Sequence, residues 1–408
     1  MSADASATRD PQERERDHFS RLPDTLLRAA RAPLMRAHLG DHDLHEVASR
    51  EALAKLPVLR KPDLMAMQEE DPPFGGLVDG RDLQSARIFQ SPGPVWEVER
   101  AGADPWNAAR AFRAAGFGAS DVVHVALAYD RTPGGFILDS GARVAGATVF
   151  PAGTGGTDAQ VDAIASLKAT GYAGTPDYLK ALLDDAGERG IDVSSLRKAL
   201  VSGGALFPAM RAEYAERGVD VMQMYATADL GVIAYETKAD GELVEGMVVN
   251  EDLILEIVRP GTDDPVGPGV VGEVVVTRLG AVTPLVRFGT GDMSALIETP
   301  SPCGRTNLRI KGWMGRADQR TKVKGMFVDP KQIDAVLKKH DLTKGRLVVT
   351  RDGDRDAMEL RIEGDGEGDA EAIAETLRKE TGLKGTVSFA HDLPNDGKIV
   401  SDERDYES

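Results

Sequence analysis

The run Val122-Val123-His124-Val125-Ala126-Leu127 decides the fold, because a short apolar run of this kind is typical of a buried strand. Small residues from Gly134 onward then predict a helix, and Ala147-Thr148-Val149-Phe150 predicts the next strand. Further helices are expected over about 157–168 and 178–183. Strands that alternate with helices in this way predict an α/β fold with a mainly parallel sheet.

The same alternation continues and then gives way to strands. Leu200-Val201-Ser202 predicts a strand, residues 210–217 predict a helix, and residues 219–225 predict the strand that follows. Residues 253–258 and 270–277 alternate as strands separated by Pro-Gly turns. We therefore expect a β-rich subdomain after the parallel sheet.

The final segment predicts a small α+β sandwich. Its expected elements are a strand from about Gln319, a helix over 330–339, a strand pair around the turn at 352–354, a helix over 370–380 and a strand over 386–390. With 408 residues, the chain exceeds what one hydrophobic core usually organises. We predict a large N-terminal domain at 1–317 and a small C-terminal domain at 318–408.

Composition excludes several classes of function. The chain has 49 Lys and Arg against 66 Asp and Glu, a net charge of −17, which disfavours binding to nucleic acid or anionic membranes. The lone Cys303 can form no disulfide within the chain and rules out a multi-cysteine zinc site. No apolar stretch is long enough to span a bilayer, so we expect a cytoplasmic protein. Residues 1–18 lack apolar periodicity and predict a mobile tail or a frayed helix.

A basic stretch at residues 315–330 stands out in this acidic chain. It concentrates arginines and lysines with two glycines where the large domain is expected to end. A bound anion would explain such a concentration of positive charge, and a solvated basic face is the alternative.

Three turns with polar residues follow predicted strands. Ser202-Gly203-Gly204-Ala205 would let a ligand approach the backbone closely, or would be only a tight turn between strand and helix. Tyr225-Ala226-Thr227-Ala228-Asp229 offers an aromatic face and a carboxylate, or a core Tyr followed by a capping Asp. Phe288-Gly289-Thr290-Gly291-Asp292 places a second carboxylate where it could chelate a diol.

In this order, these segments resemble the adenylate-forming superfamily, most closely its phenylacetate–coenzyme A ligase branch. The resemblance extends from about Pro57 to Arg404. Besides the three turns, it rests on Gly171-Tyr172-Ala173-Gly174-Thr175-Pro176, Cys303-Gly304-Arg305-Thr306 and Gly315-Arg316-Ala317-Asp318 leading to Lys324-Gly325. It implies a large α/β domain and a small C-terminal domain that swings between two poses.

The resemblance also implies a role for individual residues. Tyr225 would stack on adenine, and Asp292 would bind both ribose hydroxyls. The remaining nucleotide contacts would come from Gly203, Gly204, Ala205, Ala226, Thr227, Arg316 and Ser91. Asp318 would be the hinge, and the loop at 322–327, with Lys322, Lys324 and Gly325, would enter the site for the step with coenzyme A. Asp229 would hold Mg²⁺.

Lys398 matches the position of the catalytic lysine of the family. A primary ammonium there could bridge the carboxylate and the α-phosphate as charge moves to the leaving pyrophosphate. Asp229 is the second predicted catalytic residue.

The phosphate loop departs from the family pattern. Most members carry a Ser/Thr/Gly-rich loop that ends in Gly-Lys-Pro, whereas residues 90–97 read Gln-Ser-Pro-Gly-Pro-Val-Trp-Glu, with two prolines and no lysine. Relatives also place a hydroxyl and a glutamate where this chain has Ala228 and Asp229. Asp is one methylene shorter than Glu, so a magnesium ion would sit closer to the backbone or bind through water.

The function implied by the resemblance is an ATP-dependent acid–coenzyme A ligase that uses Mg²⁺ and passes through an acyl adenylate. Tyr129, Phe136 and Ser202 would surround an aryl or arylacetic acid. Two alternatives remain: an adenylate-forming enzyme with an amine or carrier thiol as acceptor, and a nucleotide- or acyl-CoA-binding protein without catalysis. A homodimer is possible.

Overall fold

The computed structural model describes residues 5–404 apart from 79, 82, 85, 92, 93, 318, 320, 343, 353, 354, 365–368, 392 and 394–398. The chain divides into two compact units, Met1–Met314 and Gly315–Ser408. A 3₁₀ turn at Ala5–Thr8 precedes the first helix. Among the described residues, no helix has the length and apolarity needed to cross a membrane.

The helices of the first unit are α1 Pro11–Ala29, α2 Pro33–Leu39, α3 Arg50–Leu53, α4 Lys61–Glu70, α5 Ala109–Ala114, α6 Gly134–Ala145, α7 Thr157–Leu167, α8 Pro176–Arg189 and α9 Pro208–Glu216. Its strands are β1 Leu59–Arg60, β2 Ile88–Ser91, β3 Val95–Val98, β4 Val122–Ala126, β5 Thr148–Pro151, β6 Gly171–Gly174, β7 Lys198–Val201, β8 Asp220–Thr227, β9 Gly231–Tyr235, β10 Lys238–Ala239, β11 Glu242–Leu243, β12 Met247–Val249, β13 Leu253–Val258, β14 Gly272–Arg278, β15 Phe288–Ser294, β16 Leu296–Ile297 and β17 Arg309–Ile310.

The main sheet of this unit has the order β16-β17-β12-β9-β8-β7-β6-β4-β5. Strands β5, β4, β6, β7 and β8 run parallel, and β9 turns back antiparallel to β8. The carboxyl ends of β6, β7 and β8 therefore lie along one edge, where ligands bind in open α/β sheets. The predicted α/β fold with a mainly parallel sheet is confirmed.

Helix α8 illustrates how local sequence defines these elements. It begins at Pro176, ends at Arg189 and is capped by Gly190, which adopts the left-handed conformation that glycine tolerates best. Its buried residues Leu179, Leu182 and Ala186 follow helical spacing and face the interior. The helix thereby fixes the loop between β6 and α8 at the edge of the sheet.

The β-rich subdomain centres on the sheet β1-β15-β14-β13. Strand β1 pairs in parallel with β15, with Leu59 opposite Phe288, so the chain before α4 is tied to the strand that carries Asp292. Strands β13 and β14 are buried along their whole length. The predicted strand at 253–258 matches β13, and the one predicted at 270–277 begins two residues later as β14.

The second unit contains β18 Thr321–Val323, β19 Met326–Val328, α10 Pro330–Lys339, β20 Gly345–Asp352, β21 Arg355–Glu363, α11 Ala370–Thr381, β22 Thr386–Ala390 and β23 Val400–Asp402. Its sheet has the order β22-β21-β20-β23. Leu360, Ile373 and Leu377 belong to its hydrophobic core. The order of strands and helices matches the α+β sandwich predicted for this segment.

The N-terminal prediction of a mobile tail or a frayed helix is wrong for residues 5–18. Helix α1 begins at Pro11 and is capped by Asp10, whose carboxylate accepts from the amides of Gln12 and Glu13. Arg14 is buried and its Nε donates to Glu251 Oε1 at 3.1 Å. Arg14, one of the charged residues that suggested a tail, therefore folds inward, because the buried carboxylate of Glu251 pairs with it.

Arg287 is fully buried and organises the junction between β14 and β15. Its guanidinium donates to both oxygens of Glu256, at 2.9 and 3.0 Å. It also donates to the carbonyl oxygens of Ala54, Leu56 and Asp263. A planar donor fork suits such a site because every N–H finds an acceptor.

We expect Arg287→Met to lower the free energy of unfolding of the first unit by about 3–5 kcal/mol, because Glu256 is left buried without its partner. The measurement is urea unfolding followed by tryptophan fluorescence, since all three tryptophans, Trp96, Trp106 and Trp313, lie in this unit. As a control, Arg143→Met removes an exposed ion pair with Asp139 and should cost less than about 1 kcal/mol. Equal losses in the two variants would contradict the role given to Arg287.

Candidate active site

The glycine turn after β7 lies at the carboxyl edge of the main sheet. The amide of Ser202 donates to the carbonyl oxygen of Gly174 at 2.9 Å, which continues the pairing of β7 with β6. Gly203 has a positive φ of 73°, and a Cβ on Gly204 would stand 3.3 Å from Pro176 Cδ. The turn is therefore close-packed, while Gly204 and Ala205 remain half-buried at the edge.

Tyr225 and Asp292 come together although they belong to different sheets. The hydroxyl of Tyr225, on β8, donates to Asp292 Oδ2 at 2.8 Å. Trp313 Nε1 donates to Asp292 Oδ1 at 3.0 Å. Asp292 lies on β15, and its amide donates to the hydroxyl of Thr290 at 3.1 Å. The carboxylate is thus held in one orientation, and it is only half-buried.

A carboxylate with two such donors still has capacity to bind. Its two oxygens offer about four lone-pair sites, so a pair of ligand hydroxyls can add to those that Tyr225 and Trp313 occupy. The ring of Tyr225 and the carboxylate of Asp292 therefore lie close enough together at the edge of the sheet to contact one ligand.

Asp229 lies just beyond β8 in a group of buried polar residues. Its side chain is only 6% exposed, and Lys61 Nζ lies 3.5 Å from its Oδ2. Its Oδ1 has no well-formed hydrogen bond among the described residues, although the carboxyl group of Glu97 is close enough to interact with it. A carboxylate oxygen is the kind of ligand that a hard divalent cation prefers, so Asp229 could hold Mg²⁺.

Glu97, on β3, is next to Asp229 in this group. Burial raises the pKa of Glu97 well above its usual range, and the negative charge of Asp229 raises it further, while Lys61 acts in the opposite direction. Ser91 is also buried, at the end of β2. The segment that matches the phosphate loop therefore contains the hairpin of β2 and β3, whose buried face carries a hydroxyl and a carboxyl group.

The predicted acyl-binding residues fall into two places. Tyr129 and Phe136 contact each other with ring centroids 5.2 Å apart, and Phe89 lies 5.3 Å from Phe136. The Tyr129 hydroxyl donates to Asp139 at 3.3 Å, and burial raises the pKa of Tyr129. Ser202 belongs instead to the glycine turn after β7.

Two other predicted residues have structural partners in this unit. The Thr227 hydroxyl accepts from the amide of Leu230 at 3.2 Å and stabilises the turn after β8. Ala226 packs against the same core cluster as Tyr129 and Phe136.

Thr306, of the Cys-Gly-Arg-Thr motif, accepts from Arg14 at 3.0 Å and so connects this motif to helix α1.

Within the basic stretch, residues 321–328 form a β-hairpin of β18 and β19. Lys322 pairs with Phe327 in the β18–β19 ladder. The turn uses Lys324 and Gly325, both with positive φ, as two-residue hairpin turns require. The Lys324 amide donates to Asp356, and the Arg316 guanidinium lies 5.9 Å from the ring centroid of Phe327. Asp318 and Lys398 lie outside the described residues.

Sequence reasoning missed three residues of this site. Lys61 precedes the sheet by a long stretch of chain, and Trp313 lies between two predicted motifs, so neither belonged to a recognisable turn. Glu97 did carry a signal, because it alternates with Val95 and falls on the buried face of its strand. A carboxylate at an inward position is a candidate functional residue.

Comparison with known proteins finds enzymes that are similar to this chain. The model of the AMP-binding enzymes matches residues 142–283. The phenylacetate–coenzyme A ligase of Thermus thermophilus is 29% identical over 326 residues, which cover 77% of this chain and 72% of the relative. The corresponding ligase of Escherichia coli is 29% identical over 350 residues, 81% of this chain and 78% of the relative. The predicted resemblance to the adenylate-forming superfamily, and to its phenylacetate–coenzyme A ligase branch, is confirmed.

A solved structure supports the same fold over almost the whole length. A 2-hydroxyisobutyryl-CoA ligase in the thioesterification state superimposes with a TM-score of 0.80 at 23% identity and covers 98% of this chain and 92% of that one. The predicted enzyme class of this adenylate-forming chain, an AMP-forming acid–thiol ligase, is likewise confirmed by its relatives. The roles of individual site residues stay predictions.

Proposed function

We propose that this protein activates an aryl or arylacetic acid with ATP and transfers the acyl group to coenzyme A. One acid oxygen attacks the α-phosphorus, and pyrophosphate leaves to give the acyl adenylate. The coenzyme A sulfur then attacks the acyl carbonyl, AMP leaves, and the thiol proton is released. The observation that carries the proposal is the contact between Tyr225 and Asp292, the two residues that the family resemblance assigns to the nucleotide.

The residues of the chain would divide the work as follows. Tyr225 would offer its ring to adenine, and Asp292 would accept from the ribose hydroxyls in the orientation that Trp313 fixes. A cation at Asp229 would neutralise phosphate charge when bound. The aromatic cluster of Tyr129 and Phe136 favours an aromatic acid, because aromatic rings pack well edge to face.

The phosphate-loop hairpin supports a second candidate function, a nucleotide-binding protein without adenylation. Glu97 brings a buried carboxyl group to the hairpin at 90–97, which contains no lysine. If nothing neutralises this group, it would repel the β- and γ-phosphates of ATP. This candidate binds AMP but forms no adenylate.

We expect AMP release that depends on both ATP and an acid, with higher rates for aryl and arylacetic acids than for short aliphatic acids. The measurement is AMP formation across a panel of acids, each with and without coenzyme A. Adenylate that accumulates without coenzyme A and reacts no faster when it is added would favour an amine or carrier thiol as acceptor. Absence of AMP with every acid would contradict the ligase proposal.

We expect Asp292→Asn to weaken AMP binding by about 1.5–3 kcal/mol, because a neutral amide replaces the charged acceptor of the ribose hydroxyls. Isothermal titration calorimetry with AMP measures the change. The matched control is Asp240→Asn, the same substitution at an exposed turn residue with a φ of 50°, which should bind AMP as the wild type does. If Asp292→Asn also binds AMP with wild-type affinity, Asp292 does not contact the ribose.

A further inference from the structure

Helix α6 packs one face into the core and turns the other face to a cavity. Its buried residues include Leu138 and Ala142. On the opposite side, the helix lines a cavity of about 350 Å³ with Phe136, Asp139, Ser140 and Arg143. Residues three and four apart share a helix face, as these four do. Pockets that bind small molecules have volumes of about 300–1,000 Å³ in general, so this cavity is large enough for a small organic group.

The two ends of the β2–β3 hairpin also line this cavity. Arg87 directly precedes β2, and Glu99 directly follows β3. Arg87 Nη1 donates to Glu99 Oε1 at 2.6 Å, and the Arg87 guanidinium lies 4.9 Å from the centroid of the Phe136 ring. The Arg87 side chain is 57% exposed, whereas that of Glu99 is 12% exposed. The arginine therefore lies at the rim of the cavity, and the carboxylate lies deeper.

Asp139 connects the cavity to the residues predicted to surround the acid. Its Oδ2 accepts from the Tyr129 hydroxyl and its Oδ1 accepts from Arg143 Nη1, both at 3.3 Å. The Asp139 side chain is 21% exposed and that of Arg143 is 70% exposed, so their ion pair lies largely in water and is weak. Since a carboxylate offers about four lone-pair sites, Asp139 can accept further hydrogen bonds.

Tyr129 offers a second acceptor beside Asp139. Burial raises the pKa of Tyr129, and the charge of Asp139 raises it further, so the phenol keeps its proton. That proton is donated to Asp139. A hydroxyl whose proton is already donated can only accept from another partner. Next to the rings of Tyr129 and Phe136, the structure therefore places two neighbouring acceptors.

We propose that the acid substrate carries a hydrogen-bond donor on its aromatic ring, a hydroxyl or an amino group, and that Asp139 accepts from this donor. This assignment rests on the proposed function, because it takes Tyr129 and Phe136 as the residues that surround the acid. It narrows the substrate to aryl or arylacetic acids with a donor on the ring, and it makes Asp139 a residue that determines specificity.

The chemistry of the cavity disfavours two other kinds of ring substituent. A second carboxylate would be repelled by Asp139 and Glu99, and the exposed charges of Arg87 and Arg143 are screened by water and salt. A methyl group would remove water from Asp139 without replacing its hydrogen bonds. Because hydroxyl and methyl groups are similar in size, a comparison of the two isolates the hydrogen bond.

The test compares such matched acids. AMP release is measured with 3- and 4-hydroxyphenylacetic acid and with 3- and 4-methylphenylacetic acid, and kcat/KM of the hydroxy acid is divided by that of the methyl acid at each ring position. Wild type is compared with Asp139→Leu, which replaces the carboxylate by an apolar group of similar shape. The matched control is Asp185→Leu, because Asp185 also pairs with an arginine four residues later, on α8.

We expect this ratio to be about tenfold or more in wild type and in Asp185→Leu for at least one ring position, since a site built around an acceptor rejects a substrate that lacks the donor. In Asp139→Leu the ratio should fall to about one, through loss of activity with the hydroxy acid alone. Activity with the methyl acid is retained and shows that this variant folds. A ratio near one in wild type at both positions, or an unchanged ratio in Asp139→Leu, overturns the proposal.

Binding without turnover separates this result from that of the ligase assay. Isothermal titration calorimetry of the same acids with wild type, without ATP, reads the preference directly. If the hydroxy acid binds about tenfold more tightly but no acid gives AMP, the role of Asp139 stands and the proposed function falls. If AMP is released and both assays give ratios near one, the function stands and the role of Asp139 falls. If no acid binds and none reacts, both fall.

Discussion

The carboxylate of Asp292 connects the two largest sheets of the large unit, and the candidate site depends on this connection. Its oxygens accept from Tyr225, on the main sheet, and from Trp313, just after the last strand of that sheet. Asp292 itself belongs to strand β15 of the four-stranded sheet. Arg287 directly precedes this strand and forms a buried ion pair with Glu256 on β13. The ion pair between Arg287 and Glu256 thus anchors the start of the strand that carries Asp292.

A second constraint is electrostatic. The chain carries a net charge of −17, and the hairpin that replaces the phosphate loop adds Glu97 beside Asp229. Binding of a triphosphate at such a place requires positive charge from elsewhere. Lys61 lies 3.5 Å from Asp229, and Arg100 and Arg278 line the same cavity, so these three side chains supply positive charge there.

Much of the fold could be predicted from the sequence because its elements carry local signals. The apolar run at β4, the Pro176 and Gly190 boundaries of α8 and the amphipathic pattern of α10 each define an element without tertiary information. Helix α1 could not be recognised because its buried face contains Arg14, whose burial makes sense only once Glu251 is placed beside it. Local composition cannot reveal a partner more than two hundred residues away.

The candidate site divides in the same way. Tyr225, Asp229 and Asp292 follow strands and could be found from their positions, whereas Lys61 and Trp313 reach the site through tertiary packing alone. Glu97 lies between these cases, since its alternation with Val95 predicts an inward carboxylate but does not say what it faces. The hairpin of β2 and β3 could not be predicted from the sequence, because a hairpin and an open loop can have the same Pro-Gly composition.

The most direct test of the central claim, that the site around Tyr225 and Asp292 forms an acyl adenylate, is exchange of labelled pyrophosphate into ATP in the presence of Mg²⁺. The account predicts exchange that requires a carboxylic acid and proceeds without coenzyme A, because adenylation is reversible before the acyl transfer. Exchange that does not rise above the acid-free rate with any aryl, arylacetic or aliphatic acid would contradict it.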